Sequence, residues 1–282
     1  MTHQTPPTPL TPPSGAHSPA EAADDYASIG YRPDAAIRWG LPQFAIGIGL
    51  FVAILIVVNA LALFVPRAAQ SPLLFAAVLA GYGALFLSAF FAARSRGTGS
   101  LARDFGLRFR PVDLATGLGV GIAAKIVGVI IAIPLVGLTG GVPTSNVPVQ
   151  SDLVWIVLNT VVATTLVAPL VEELFFRGLL LRAIRNGVLR GRASHPRTAP
   201  PSAARARGAL LASILISSVA FMAMHLYQAP DLTTLLVLGT STLVLGLANA
   251  ALATRTGRLG PGIVAHMVFN GVALLGFFAT SR

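Results

Sequence analysis

Glu172 and Glu173 stand side by side in an otherwise apolar run, Ala168-Pro169-Leu170-Val171-Glu172-Glu173-Leu174-Phe175-Phe176-Arg177-Gly178. On a helix, Arg177 follows Glu173 by four residues, about 40° around the axis, in the favourable order for an i,i+4 ion pair. Glu172 is about 140° from Arg177 and cannot easily share it. One carboxylate is thereby neutralised, and the other is left to take a proton from water as a general base. The plainer alternative is that both glutamates only build a helix-packing network.

Two later segments carry the remaining candidates. Phe221-Met222-Ala223-Met224-His225 puts a ring and an imidazole on one helix face, one turn apart. His266-Met267-Val268-Phe269-Asn270 puts an imidazole and a carboxamide on another. Those two donors lie about 6 Å apart along the axis, a spacing an oxyanion site could use. Taken singly, a histidine on an apolar helix is more often structural.

The elements that must position these residues are membrane spans. Of 282 residues 54% are hydrophobic and 11% charged, against about 25% charged in soluble domains. Apolar runs of 18 residues or more recur, each able to cross about 30 Å of hydrocarbon. Spanning segments must satisfy their own backbone, so the expected fold is all-α, a polytopic bundle of about seven helices. The predicted spans are 42–65, 72–93, 113–138, 153–181, 209–226, 232–253 and 261–279. Gly117 and Gly121 form a G-x-x-x-G in the third, a pattern suited to close helix packing. Residues 1–36, rich in Pro and Thr, read as a disordered cytoplasmic tail with overlapping P-x-x-P spacing at Pro6, Pro9 and Pro12. Residues 37–282 read as the membrane domain.

Arginine sets the orientation. Sixteen Arg flank the spans on one side and two, Arg67 and Arg282, on the other. The positive-inside rule then puts the N-terminus in the cytoplasm of a multi-pass protein of the cell membrane, and the Arg-over-Lys and Ala bias suggests a prokaryote. The net charge of +10 is read as contact with anionic lipid rather than nucleic acid. Absence of cysteine excludes disulfides, thiolate metal sites and a cysteine nucleophile.

Within spans each charge costs about 2.5–3.5 kcal/mol. Glu172, Glu173, Arg177 and Lys125 together cost on the order of 10 kcal/mol, so they need function or internal pairing. Lys125, the sole lysine, is expected to be a structural counter-charge to the glutamates, with a direct catalytic or substrate role as the alternative.

The pattern E-E-x-x-x-R, then F-x-x-x-H, then H-x-x-x-N, on three spans in order, resembles the CPBP family. This is the CAAX protease and bacteriocin-processing (Abi) family, which includes the type II CAAX prenyl endopeptidases. The resemblance covers about 150–280. It implies an intramembrane endopeptidase in which Glu172 and His225 hold the nucleophilic water. Glu173 and Arg177 form a structural pair, Phe221 supports His225, and His266 with Asn270 stabilises the oxyanion. Two histidines and a glutamate, His225, His266 and Glu172, could hold a zinc ion or only a water, and the residues leave this open. The implied partner is a membrane-embedded or membrane-associated peptide, prenylated or not.

Other chemistries fit worse. There is no H-E-x-x-H and no aspartate in the interior of a span, against zinc site-2 and aspartyl types. A Ser/His reading from Gly239-Thr240-Ser241-Thr242 with His266 leaves both glutamates unexplained. An ion-coupled transporter using Glu172, His225 and Lys125 should show a repeat, and none is visible. A non-catalytic scaffold or immunity protein would survive Glu172→Gln. One tension remains: counted from the basic side, Glu172, His266 and His225 lie about 15, 9 and 25 Å deep, so helices must tilt or the fifth-to-sixth turn must dip inward.

Overall fold

The computed structural model describes residues 38–144, 152–192, 195–196 and 201–280. The tail at 1–36 lies outside them. Seven long helices make up the described chain: α1 (Leu41–Ala62), α2 (Arg67–Arg96), α3 (Val112–Thr139), α4 (Leu153–Arg190), α5 (Ala203–His225), α6 (Leu232–Thr256) and α7 (Gly260–Thr280). Six are long and apolar enough to span a bilayer, and the described apolar part of α7, Gly260–Gly276, is slightly shorter. The protein is a multi-pass helical bundle. Its β-structure among the described residues is one two-residue ladder, Gly191–Arg192 with His195–Pro196.

Large apolar side chains point outward in numbers that water would not tolerate, such as Ile46, Ile56, Ile133 and Leu275. Lipid is the solvent that accepts them. The interior is aromatic around α4: Phe175 and Phe176 are fully buried, and Phe44 of α1 stacks on Phe175 at 4.7 Å. Gly47 lets α1 approach, because a Cβ there would meet the Phe175 ring at 2.6 Å.

The G-x-x-x-G of α3 packs against α7. A Cβ at Gly117 would lie 2.7 Å from Pro261 O, and one at Gly121 would lie 2.5 Å from Ala265 O. Backbone therefore meets backbone, as small residues in membrane helices allow. One turn beyond Ala124, Gly128 faces Ser241 of α6.

Before α7 the chain is pinned. Leu259 N–H donates to Gly106 O and Gly260 N–H to Arg108 O, at 2.8 and 3.2 Å. Arg258 grips Asp113 at the start of α3 through two bonds, 2.6 and 3.3 Å. The buried Asp113 carboxylate holds the Arg258 guanidinium above its usual range.

The longest departure from the expected spans is α4. It runs to Arg190 rather than ending near residue 181, and α5 begins at Ala203 rather than 209. Arg182 and Arg185, expected in a loop, are buried on α4. Arg182 donates to Gly257 O at 3.1 Å.

Candidate active site

Two stretches of α4, Ile156–Val167 and Glu173–Leu180, wind as π-helix, with α-turns at Ala168–Glu172 between them. Wide turns of this kind recur at functional sites, usually in shorter pieces. Thr164 and Thr165 follow the wide winding, each donating its hydroxyl to the carbonyl five residues back. Pro169 has a structural effect here. It stands five residues after Thr164 and has no N–H to give the Thr164 carbonyl. Asn270 of α7 supplies the donor instead, its Nδ2 at 3.0 Å from Thr164 O.

Glu172 and Glu173 occupy different environments although both are buried. Oε1 of Glu173 accepts from Arg177 at 3.0 Å, from Asn249 at 2.9 Å and lies 3.1 Å from His266 Nδ1. A carboxylate accepts, so His266 carries its proton on Nδ1. Asn249 donates its other amide hydrogen to Gly262 O at 3.0 Å. Arg177 uses a second nitrogen on Gly246 O at 3.2 Å and lies over the Phe221 ring at 4.2 Å.

Glu172 has one oxygen engaged and one free. Tyr82 donates its hydroxyl to Oε1 at 2.9 Å. Among the described residues Oε2 has no hydrogen-bond partner, yet His225 Nε2 stands 3.8 Å and His266 Nε2 3.7 Å from it. His225 Nδ1 is 2.8 Å from Phe221 O; a carbonyl only accepts, so Nδ1 carries the proton and Nε2 presents a lone pair. Phe221 lies at 4.6 Å from the His225 ring and 5.5 Å from the His266 ring. It walls both imidazoles while its carbonyl fixes one of them.

These groups line a cavity of about 390 Å³ that Glu172, His225, His266 and Asn270 share with Lys125 and Tyr82. The gaps of 3.7 and 3.8 Å around Oε2 suit a small polar molecule hydrogen-bonded off-centre, water being the simplest. Among the described residues no group of three or more His, Asp or Glu side chains has the arrangement of a metal site. The zinc raised as an option thus finds no ligand cluster among the described residues.

The depth mismatch disappears once the helix ends are known. Glu172 lies 18 residues before Arg190, and His225 lies 22 residues after Ala203, about 27 and 33 Å at helical rise. These helices run past the start of α7, so His266 reaches the same level only six residues after Gly260. Counting inward from loops misjudged depth because the ends are staggered.

Lys125 is not the counter-charge expected. Its Nζ sits over the Phe269 ring at 4.4 Å, with no ion pair to either glutamate. Ser241, the nucleophile of the Ser/His alternative, also lines the cavity but packs beside Gly128. Tyr82 and Asn249 were missed in the sequence. Tyrosine in a span is cheap and gives no signal, whereas Asn249, a carboxamide inside an apolar helix, was a signal overlooked.

Residues 153–272 match the family model described as type II CAAX prenyl endopeptidase Rce1-like. That stretch is similar to the Rce1-like family. It spans α4 to most of α7 and contains every residue of the three motifs. Comparison with curated proteins and with solved structures found no match. The Rce1-like family is a protease family. α1 to α3 lie outside the matched stretch, although α2 and α3 contribute Tyr82 and Lys125 to the cavity.

Proposed function

We propose that the protein is an intramembrane endopeptidase of the cell membrane that uses Glu172 to activate water against a peptide carbonyl, in the CAAX-type manner of its family. The observation that carries this reading is the unpartnered Oε2 of Glu172, buried and faced by two imidazole Nε2 atoms. A water held there donates one hydrogen to Glu172 Oε2 and the other to the His225 Nε2 lone pair. Glu172 takes the proton as the oxygen attacks, and passes it to the leaving amine as the C–N bond breaks. His266, carrying a proton on each nitrogen, donates from Nε2 to the oxyanion, and the Glu173 carboxylate at Nδ1 stabilises that imidazolium. One amide hydrogen of Asn270 is committed to Thr164; the second is available to the same oxyanion.

The Arg-rich side, with the α4–α5 connection, faces the cytoplasm in this proposal, in contact with anionic headgroups. The substrate is a membrane-associated peptide segment.

The test is cleavage of a quenched fluorescent peptide pool by the purified protein reconstituted in lipid vesicles. Turnover by wild type and its loss in a folded Glu172→Gln variant are expected. Equal turnover by both would defeat the reading.

A further inference from the structure

Arg182, Arg185 and Asn186 stand near the Arg-rich end of α4. Arg185 and Asn186 follow Arg182 by three and four residues, which puts the three side chains on one helix face. All three are buried, Arg185 to 3% exposure and Arg182 to 8%. Arg182 is partly satisfied. It donates to Gly257 O at 3.1 Å, and its guanidinium lies against Gly106, where a Cβ would collide with it. Arg185 Nε and Asn186 Oδ1 are sealed from solvent and have no hydrogen-bond partner among the described residues.

Buried guanidiniums ordinarily lie against a carboxylate. Ion pairs among the described residues join Arg177, Arg258, His225 and His266 to Glu172, Glu173 and Asp113. None of them reaches Arg182 or Arg185. The charged groups that act on Arg182 are Arg185, Arg108 and Asp104, and Asp104 already accepts from Thr98 N–H at 2.9 Å. One carboxylate thus faces three arginines, and the carbonyls at the helix C-terminus offset only about half a charge. The 38 residues of α4 extend over roughly 50 Å, well beyond the ~30 Å of hydrocarbon. This end of the helix therefore reaches the level of the headgroups.

We propose that Arg185, with Arg182 and Asn186 beside it, forms a phosphate-binding site outside the catalytic cavity, which takes the phosphate of an anionic lipid headgroup or a soluble phosphate of the same chemistry. Two guanidinium forks side by side suit phosphate, whose several oxygens can accept from both, better than a carboxylate with two. Asn186 adds an amide donor. The site does not depend on the peptidase reading, but it bears on the same helix. Arg185 follows Glu172 by thirteen residues, about 20 Å along α4. A lipid phosphate seated there fixes the height of Glu172 in the bilayer, and through Arg182 and Gly257 O it also braces the turn before α7.

The experiment measures the unfolding midpoint of the delipidated full-length protein in neutral detergent at fixed ionic strength. Three probes are added in turn: phosphatidylglycerol, inorganic phosphate, and phosphatidylcholine, whose phosphate is already paired with its own choline. Phosphatidylglycerol should raise the midpoint by about 5 °C at a hundred-fold excess over Kd, and phosphatidylcholine should not. A matching rise with inorganic phosphate assigns the site to soluble phosphate as well; a rise with the lipid alone assigns it to the headgroup. Arg185→Gln should abolish the rise, whereas Arg94→Gln, which removes an exposed arginine of α2, should keep it. Arg185→Lys keeps the charge without the fork and should bind phosphatidylglycerol about ten-fold more weakly, which native mass spectrometry reads even where Arg185→Gln fails to fold. No rise with either anion, equal loss in Arg185→Gln and Arg94→Gln, or unchanged affinity in Arg185→Lys overturns the proposal.

Discussion

Glu172 and Glu173 are consecutive residues whose carboxylates have opposite hydrogen-bond fates. Oε1 of Glu173 gathers Arg177, Asn249 and His266, whereas Oε2 of Glu172 gathers none. Stability and reactivity are thereby separated across one peptide bond, and the two side chains should fail differently on substitution. Glu172→Gln keeps its size and can still accept from Tyr82. A folded protein with turnover reduced about 10²–10⁴-fold is expected, the usual worth of a general base. Glu173→Gln leaves Arg177 buried beside a neutral partner and should cost about 3–5 kcal/mol. Adding Arg177→Gln should recover part of that loss. Melting temperature in detergent and turnover for the three variants check this; a destabilised Glu172→Gln beside a stable Glu173→Gln would reverse the roles.

Asn249 ties α6 to both Glu173 and Gly262 at the start of α7. Asn249→Leu should therefore lower stability by about 1–3 kcal/mol, because Glu173 Oε1 loses one of its three donors and Gly262 O loses its side-chain donor. Thermal unfolding in detergent reads this directly, and an unchanged midpoint would contradict the assigned network.

Tyr82→Phe removes one donor from Glu172 and nothing else. Its stability cost should stay near 1 kcal/mol, while turnover drops by about ten-fold as the carboxylate loses its orientation. A kcat equal to wild type would show that the hydroxyl does not position the base.

Much of this was legible in the sequence because apolar runs of spanning length have few alternatives. The seven helices follow from the apolar runs, the Glu173–Arg177 contact from charge placed where charge is costly, and the grouping of Glu172 with His225 and His266 from the resemblance carried by the three motifs. The end of α4 was not legible. Arg182, Arg185 and Asn186 read as a loop by polarity, yet they are buried on a helix by the extension of α5 and the turn before α7. The partner of Lys125 was misjudged for a related reason: sequence gives the charge of a span residue but not which way α3 turns it.

The Asp231 carboxylate caps α6 by accepting from Thr234 N–H and hydroxyl, both at 2.8 Å. The Thr234 backbone and side-chain bonds hold it below the usual carboxylate range. The folded form therefore binds its proton at lower pH than the unfolded chain, so the cap's contribution is present above about pH 3.9 and is lost as pH falls through the lower folded value. Asp231→Asn should keep a cap and flatten the loss of stability below about pH 4. Unfolding midpoints across that range decide it; identical acid limbs for both proteins would refute the linkage.

Orientation can be tested in this cysteine-free chain. Single cysteines at Arg67 and at Ser202 should react with an impermeant maleimide from opposite faces of the membrane, Ser202 from the cytoplasmic side. Labelling from the same face would contradict the odd number of helices between them.

The glycine contacts of α3 bear on how a membrane-borne chain reaches the cavity. Gly117 and Gly121 lie against α7 backbone, and Gly128 lies against Ser241 of α6. The α3–α7 seam brings main chain against main chain, and the α3–α6 seam is filled by the short Ser241 side chain rather than by a long one that could swing aside. They act as welds, not doors. A peptide arriving sideways from the bilayer must come in elsewhere around the bundle.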